Sequence, residues 1–119
     1  MQRIATLPDI PADGLRFTYN EGPCEEQGIL IRRADGEIRA YKNECRHLPM
    51  RLDDREPREF WDPSGTFLVC NSHGARYRPS DGLCVAGPCK GSHLRSLPVV
   101  VRDGEVFLDT TKTGSFFDV

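Results

Sequence analysis

Hydrophobic residues along this chain fall into short runs that alternate with polar ones, not into long stretches with the near-3.6 period of a helix. In GLRFTYN (14–20), Leu15, Phe17 and Tyr19 alternate with Arg16, Thr18 and Asn20, as in a half-buried strand. ILIRRADGEIRAYKN (29–43) is two strand-like runs around Asp35-Gly36, a dipeptide that favours the tight turn of a hairpin. GTFLVC (65–70) is an apolar run ending at a cysteine. ARYRPSDGLCV (75–85) predicts a second hairpin turning between Pro79 and Gly82, and LPVVVRDGEVFLDT (97–110) a third turning at Asp103-Gly104. Turns at this spacing predict an all-β sandwich or barrel. Two regions do not fit strands: residues 44–64, charged and proline-rich, and residues 86–96. KTGSFFDV (112–119) reads as a loose tail or a partner-binding end.

The length of 119 residues predicts one domain spanning 1–119. With 16 basic against 18 acidic residues the net charge is −2, which argues against a general nucleic-acid binder. No apolar run approaches the ~18 residues of a transmembrane helix, so no membrane partner is expected. MQRIATLPDIP lacks the apolar stretch of a secretory signal, and the expected location is cytoplasmic. Five cysteines stand at 24, 45, 70, 84 and 89, an odd count that speaks against a disulfide scaffold. In a reducing compartment, cysteine close to histidine reads first as a metal site.

Two such pairs occur: Cys45-x-His47, then 22 residues, then Cys70-x-x-His73. The β pattern places both on loops at hairpin tips, where binding groups are commonly displayed. Two Cys and two His close a tetrahedral zinc site or fill a two-iron, two-sulfide cluster. Structural zinc sites usually pair Cys with Cys and His with His along the chain. Here each loop offers one of each. A mononuclear site gains nothing from mixed pairs. In a binuclear site, with one metal taking both Cys and the other both His, every loop must bridge the two metals, and mixed pairs follow.

With these residues in place, the sequence resembles the Rieske family, which has C-x-H in one loop and C-x-x-H in a second. His73-Gly74-Ala75-Arg76-Tyr77 is similar to a run in Rieske ferredoxins. Ser80-Asp81-Gly82 followed by Gly87-Pro88 resembles the turn and proline loop that cover the cluster. LPVVVRDGEVFL resembles the closing hairpin, so the likeness covers roughly residues 29–109. It implies the Rieske fold, an antiparallel β-sandwich base with a small inserted cluster-binding subdomain at about 43–90. It also implies one [2Fe-2S] cluster, with Cys45 and Cys70 on one iron and His47 and His73 on the other. Ala75, Tyr77, Gly87 and Pro88 would surround it.

Neutral imidazoles in place of two thiolates leave such a cluster less negative and easier to reduce. Rieske potentials run from about −150 to +300 mV, against about −400 mV for all-cysteine plant-type clusters. The imidazoles can also lose a proton on oxidation, which couples electron to proton transfer. The respiratory members carry two further loop cysteines, whose places are held here by Met50 and Ser72, and a serine whose place is held by Ala75. Tyr77 retains the phenol. The resemblance therefore implies the low-potential ferredoxin type, slightly raised by Tyr77.

The implied role is a one-electron carrier without its own catalytic domain, passing electrons from an upstream reductase to a downstream oxygenase or similar acceptor. There is no G-x-G-x-x-G nucleotide fingerprint. A regulatory or cluster-bearing small subunit, a redox sensor and a structural zinc module are the alternatives. The stretch 48–69, with Arg51, Arg55, Arg58, Asp53, Asp54, Glu56, Glu59 and Trp61, is longer than in common Rieske ferredoxins and reads as a partner surface. Trp61 is expected to pack beneath it and His93 to lie on the surface. Arg46 reads equally as a docking charge or a solvated side chain. Cys24 reads as incidental. Cys84 reads as a buried strand residue and Cys89 as a loop thiol, or the two as a disulfide or redox switch.

Overall fold

The computed structural model describes residues 1–33 and 35–109. The expectation for KTGSFFDV lies outside the described residues. The chain divides into two compact units, Met1–Lys42 together with the chain from Ser96, and Asn43–Arg95. No helix among the described residues is long and apolar enough to cross a membrane. Among the described residues all regular structure is antiparallel strand, apart from one 3-10 turn at Leu7–Asp9.

The first unit holds two three-stranded sheets. One is built from β1 (Gln2–Thr6), β9 (Glu105–Leu108) and β8 (Val99–Arg102), in that order. The other runs β2 (Leu15–Glu21), β3 (Cys24–Arg32), β4 (Ile38–Lys42). Alternation sets the buried faces: Phe17 and Tyr19 of β2, and Val106 and Leu108 of β9, pack with Ile10, Leu30, Ala40 and Leu97 in one core. The Asp103-Gly104 turn is a two-residue loop between paired Arg102 and Glu105, with φ of 51° and 78°. Two positive values are what a type I′ turn requires and what Asp-Gly tolerates. Phe17 pairs directly with Gly28, and its ring lies across the glycine: a Cβ there would stand 2.4 Å from Phe17 Cζ. Gly28→Ala should therefore destabilise the unit by about 1–3 kcal/mol through overpacking. A denaturation midpoint unchanged from wild type would refute that contact.

The second unit carries the small sheet β5 (Leu68–Val69), β6 (Arg76–Tyr77), β7 (Cys84–Ala86). Around it Leu52, Phe60, Leu68, Tyr77 and Leu94 are buried. Most of its chain is turn, so side chains hold the backbone. Asn43 accepts a hydrogen bond from the Leu52 amide at 2.9 Å and donates to Asp53 Oδ1 at 3.0 Å, tying the start of the long segment to its middle. Phe60, not Trp61, fills the space beneath that segment: Phe60 is 3% exposed, whereas Trp61 stays half-buried and bridges Leu68 through its backbone.

Candidate metal centre

The two Cys/His runs form loops of the same construction. The first follows β4, and its Cys45 amide donates to the Met50 carbonyl at 2.8 Å. The second joins β5 to β6, and its Cys70 amide donates to the Ala75 carbonyl at 2.9 Å. Each cysteine thus closes a loop on the residue five positions ahead. Only the second loop lies at a hairpin tip. The first does not, because β4 runs on into the long segment 43–67 with no strand returning beside it. That corrects the expectation of two hairpin tips.

Within each loop the backbone turns inward on its cysteine sulfur. The amides of His47 and Leu48 donate to Cys45, and those of Ser72 and His73 to Cys70. The donors are the second and third residues after the cysteine in both cases. Burial alone would raise the Cys45 thiol, but hydrogen bonds from Tyr77, these amides and Cys70 outweigh it and hold it below its ordinary value. Burial raises Cys70, and its contact with Cys45 adds to the rise. Two amides aimed at each sulfur favour its thiolate form; at Cys45 they help to outweigh burial, whereas at Cys70 burial and the Cys45 contact prevail over them.

Cys45 and Cys70 are 4% and 0% exposed and touch each other, while His47 and His73 are exposed. The two imidazoles face one another edge to face, ring centres 4.9 Å apart at 83°. The two loops thus pair their sulfurs inside and their imidazoles outside. Among the described residues no three His, Cys, Asp or Glu converge on a point a single ion could occupy. One zinc would need all four at about 2.0–2.3 Å. A two-metal group with sulfur at one end and nitrogen at the other fits the pairs as they stand.

Tyr77 sits behind Cys45. Its Oη lies 3.3 Å from Cys45 Sγ, accepts the Arg46 amide at 3.0 Å, and lies 3.1 Å from Cys89 Sγ. Burial, then the neighbouring Cys45 and Cys89, push its phenol far above the usual range, so it stays protonated. Cys89 is a neighbour that sequence reasoning missed. The β6–β7 register puts Tyr77 opposite Cys84, but only the turn after β7 returns Cys89 to the phenol. Cys84 is buried in β7, as expected, and its thiol is pushed up to about 11, first by burial and then by Cys89. Gly87 lies against the Ala75 backbone. Pro88 is exposed beside it. His93 pairs by backbone with Leu83, and Cys24 is exposed at the start of β3.

Asp62 fixes the turn that feeds β5 and so sets where Cys70 begins. It accepts from Ser64 Oγ at 2.8 Å, the Thr66 amide at 3.1 Å and the Phe67 amide at 3.2 Å. Burial pushes its carboxyl up, but these bonds and the Arg76 charge outweigh it and hold it below the usual carboxylate range. A folded value below the unfolded one gives stability that is present above pH ~3.9 and lost as pH falls through the folded value. Asp62→Asn should melt earlier than wild type at neutral pH, and the gap should shrink below pH ~3.9. A gap constant down to pH ~2 would contradict this role.

The chain matches the family model of the Rieske [2Fe-2S] domain over residues 9–106. No curated protein matches it in sequence. Among solved structures it is similar to the Sphingomonas yanoikuyae B1 ferredoxin, at 24% identity and TM-score 0.64, covering 90% of this chain and 95% of that one. It is similar also to the ferredoxin of carbazole 1,9a-dioxygenase from Nocardioides aromaticivorans IC177, at 21% identity and TM-score 0.63, with 91% and 97% covered. A third likeness is to a chain in the reduced complex between oxygenase and ferredoxin in carbazole 1,9a-dioxygenase, at 22% identity and TM-score 0.67. It covers 89% of this chain, which spans only 27% of that longer one. At these identities the structural likenesses speak for the fold, which is the all-β arrangement expected from the strand pattern.

Proposed function

This chain belongs to the Rieske [2Fe-2S] domain family, and from that premise we propose that it is a one-electron carrier whose cluster is held by Cys45, His47, Cys70 and His73. The observation carrying this is the meeting of two like-built loops, sulfurs inside and imidazoles outside. Cys45 and Cys70 would hold one iron as thiolates, and His47 and His73 the other through ring nitrogens. When bound, such a cluster takes up and gives back single electrons. The unit Asn43–Arg95 would be the cluster-binding subdomain.

The chain's own groups bias that exchange. Paired amides at each sulfur and the Tyr77 phenol stabilise negative charge at the buried end. Ala75, with no hydroxyl, adds none, in keeping with a potential low in the Rieske range. At the other end His47, His73 and the exposed Leu48 and Pro49 face solvent, so a partner can touch the imidazoles directly. The partners we propose are an upstream reductase and a downstream oxygenase, by analogy with the oxygenase–ferredoxin complexes of carbazole 1,9a-dioxygenase. In this reading the chain is not itself an enzyme.

Anaerobic purification with iron and sulfide assays, followed by EPR of the dithionite-reduced protein, tests the assignment. Red-brown protein with equal iron and sulfide and an average g below the free-electron value is the expected result. Colourless protein carrying zinc would end it. Tyr77→Phe should leave the iron content intact and lower the midpoint potential on the order of 50 mV. A tenfold bias on a one-electron couple is about 59 mV. A hydrogen bond to a charged acceptor is worth about 1.5–3 kcal/mol, of which only part differs between redox states. An unchanged potential in a redox titration would show that the phenol does not act on Cys45.

A further inference from the structure

We propose that Cys84 and Cys89 form a dithiol/disulfide redox site coupled to the metal centre through Tyr77. The coupling rests on the cluster reading above; the dithiol site does not. The two sulfurs lie 3.4 Å apart, both as free thiols. A disulfide at about 2.05 Å needs them to approach by about 1.4 Å. The turn between them is already closed: the Cys84 amide donates to the Ser92 carbonyl at 2.7 Å and the Gly91 amide to the Cys84 carbonyl at 2.9 Å. The Cys89 carbonyl accepts from the Ser92 amide at 3.0 Å and from Ser92 Oγ at 2.7 Å. Little chain entropy remains to be lost on forming the bond. Gly87, Pro88, Lys90 and Gly91 around Cys89 are exposed, while Cys84 is buried, so an oxidant meets Cys89 first.

A low-molecular-weight disulfide such as oxidised glutathione supplies the chemistry. Cys89, as thiolate, attacks one glutathione sulfur; the glutathione S–S bond breaks, and the leaving thiolate takes up the proton Cys89 released. Cys84, losing its own proton, then attacks the Cys89 sulfur, and the second glutathione leaves as its thiol. The two protein thiols together lose two protons and two electrons, and the oxidant takes both.

Proton counting makes the link to the centre. A Cys45 bound to iron would carry no proton, so the Tyr77 hydroxyl, 3.3 Å away, would be the donor to it. The Tyr77 oxygen then accepts from the Arg46 amide and from the Cys89 thiol at 3.1 Å. The Cys84 thiol donates to the Ala86 carbonyl at 3.2 Å. The chain Cys89 → Tyr77 → Cys45 is polarised in one direction, and each bond strengthens the next. In the disulfide, Cys89 has no proton. Tyr77 loses a donor and gains a competing acceptor, its bond to Cys45 weakens, and the centre becomes harder to reduce.

The test treats cluster-loaded Cys24→Ser protein, which lacks the exposed thiol, with oxidised glutathione or with dithiothreitol. Peptide mapping reads the thiols, and a redox titration reads the centre. The expected result is a Cys84–Cys89 link lighter by two hydrogens and a downward, dithiothreitol-reversible shift in midpoint potential. With Cys89→Ser added, a hydroxyl donor remains and the potential should ignore the oxidant. Glutathione resting on Cys89, or both thiols unchanged, overturns the site. A link without a potential shift overturns the coupling. Colourless protein sinks the cluster reading and the coupling with it, while the thiol map still decides the dithiol site.

Discussion

Cys70→Ser protein, purified beside wild type, should carry iron and sulfide only at background level and lack visible colour. Cys70 is fully buried, closes its loop through the Ala75 carbonyl, and has two loop amides aimed at its sulfur. A hydroxyl in that place offers no soft anionic ligand to iron, and the amides lose the charge they are set to meet. The stability of the second unit should fall as well. Ligands to a metal group repel or lie idle without it, and whatever binds only the folded form adds to stability. A ligand at a thousand times its Kd supplies about 4 kcal/mol, a fair lower mark for a group held by four side chains. Limited proteolysis should then cut within Asn43–Arg95 before it cuts the strands of the other unit. Cys24→Ser, altering an exposed cysteine away from the loops, should match wild type in iron and in cleavage. Full iron in the Cys70→Ser protein would remove Cys70 from the ligand set.

What could be read from the sequence divides along physical lines. Hairpins with their own turn chemistry were legible: Asp35-Gly36 and Asp103-Gly104 locate β3–β4 and β8–β9 because the turn and both strands are local. β1 was not, because QRIAT pairs with β9 a hundred positions along, and nothing near it signals the partner. The first part of β3 was hidden too. Its CEEQ is polar, and it becomes strand only by pairing with Glu21, Asn20, Tyr19 and Thr18 across a two-residue Gly22-Pro23 turn. In the candidate site, the mixed Cys/His spacing singled out the residues that the structure brings together as a cysteine pair and a histidine pair. The sulfur-to-phenol chain was invisible. A Cys84–Cys89 pairing was among the readings of the sequence, but the phenol joins them through a bulge in the β6–β7 register and a turn whose closure no residue pattern announces.

Gly87→Ala should be among the most damaging single-methyl additions in the second unit, and Gly91→Ala shows why. Both glycines have positive φ, 101° and 95°, so an alanine at either carries backbone strain of about 1–3 kcal/mol. They differ in what the new methyl meets. At Gly91 nothing lies within 4 Å. At Gly87 a Cβ would stand 2.7 Å from Ala75 Cα, 3.2 Å from Ala75 N and 3.3 Å from Ala75 Cβ. Ala75 cannot retreat, because it is fully buried and its carbonyl closes the Cys70 loop. The turn 87–91 must move instead, carrying Pro88 and Cys89 with it and breaking the Cys89–Tyr77 contact. That clash adds about 1–3 kcal/mol to the shared strain, for a total of about 2–6 kcal/mol. It also opens the buried sulfur end to water and oxygen. The expected outcome is a lower melting temperature for Gly87→Ala than for Gly91→Ala, with faster loss of iron and colour in air. If the two variants melt and bleach alike, the approach of Gly87 to Ala75 does not shield the centre, and backbone strain alone sets the effect.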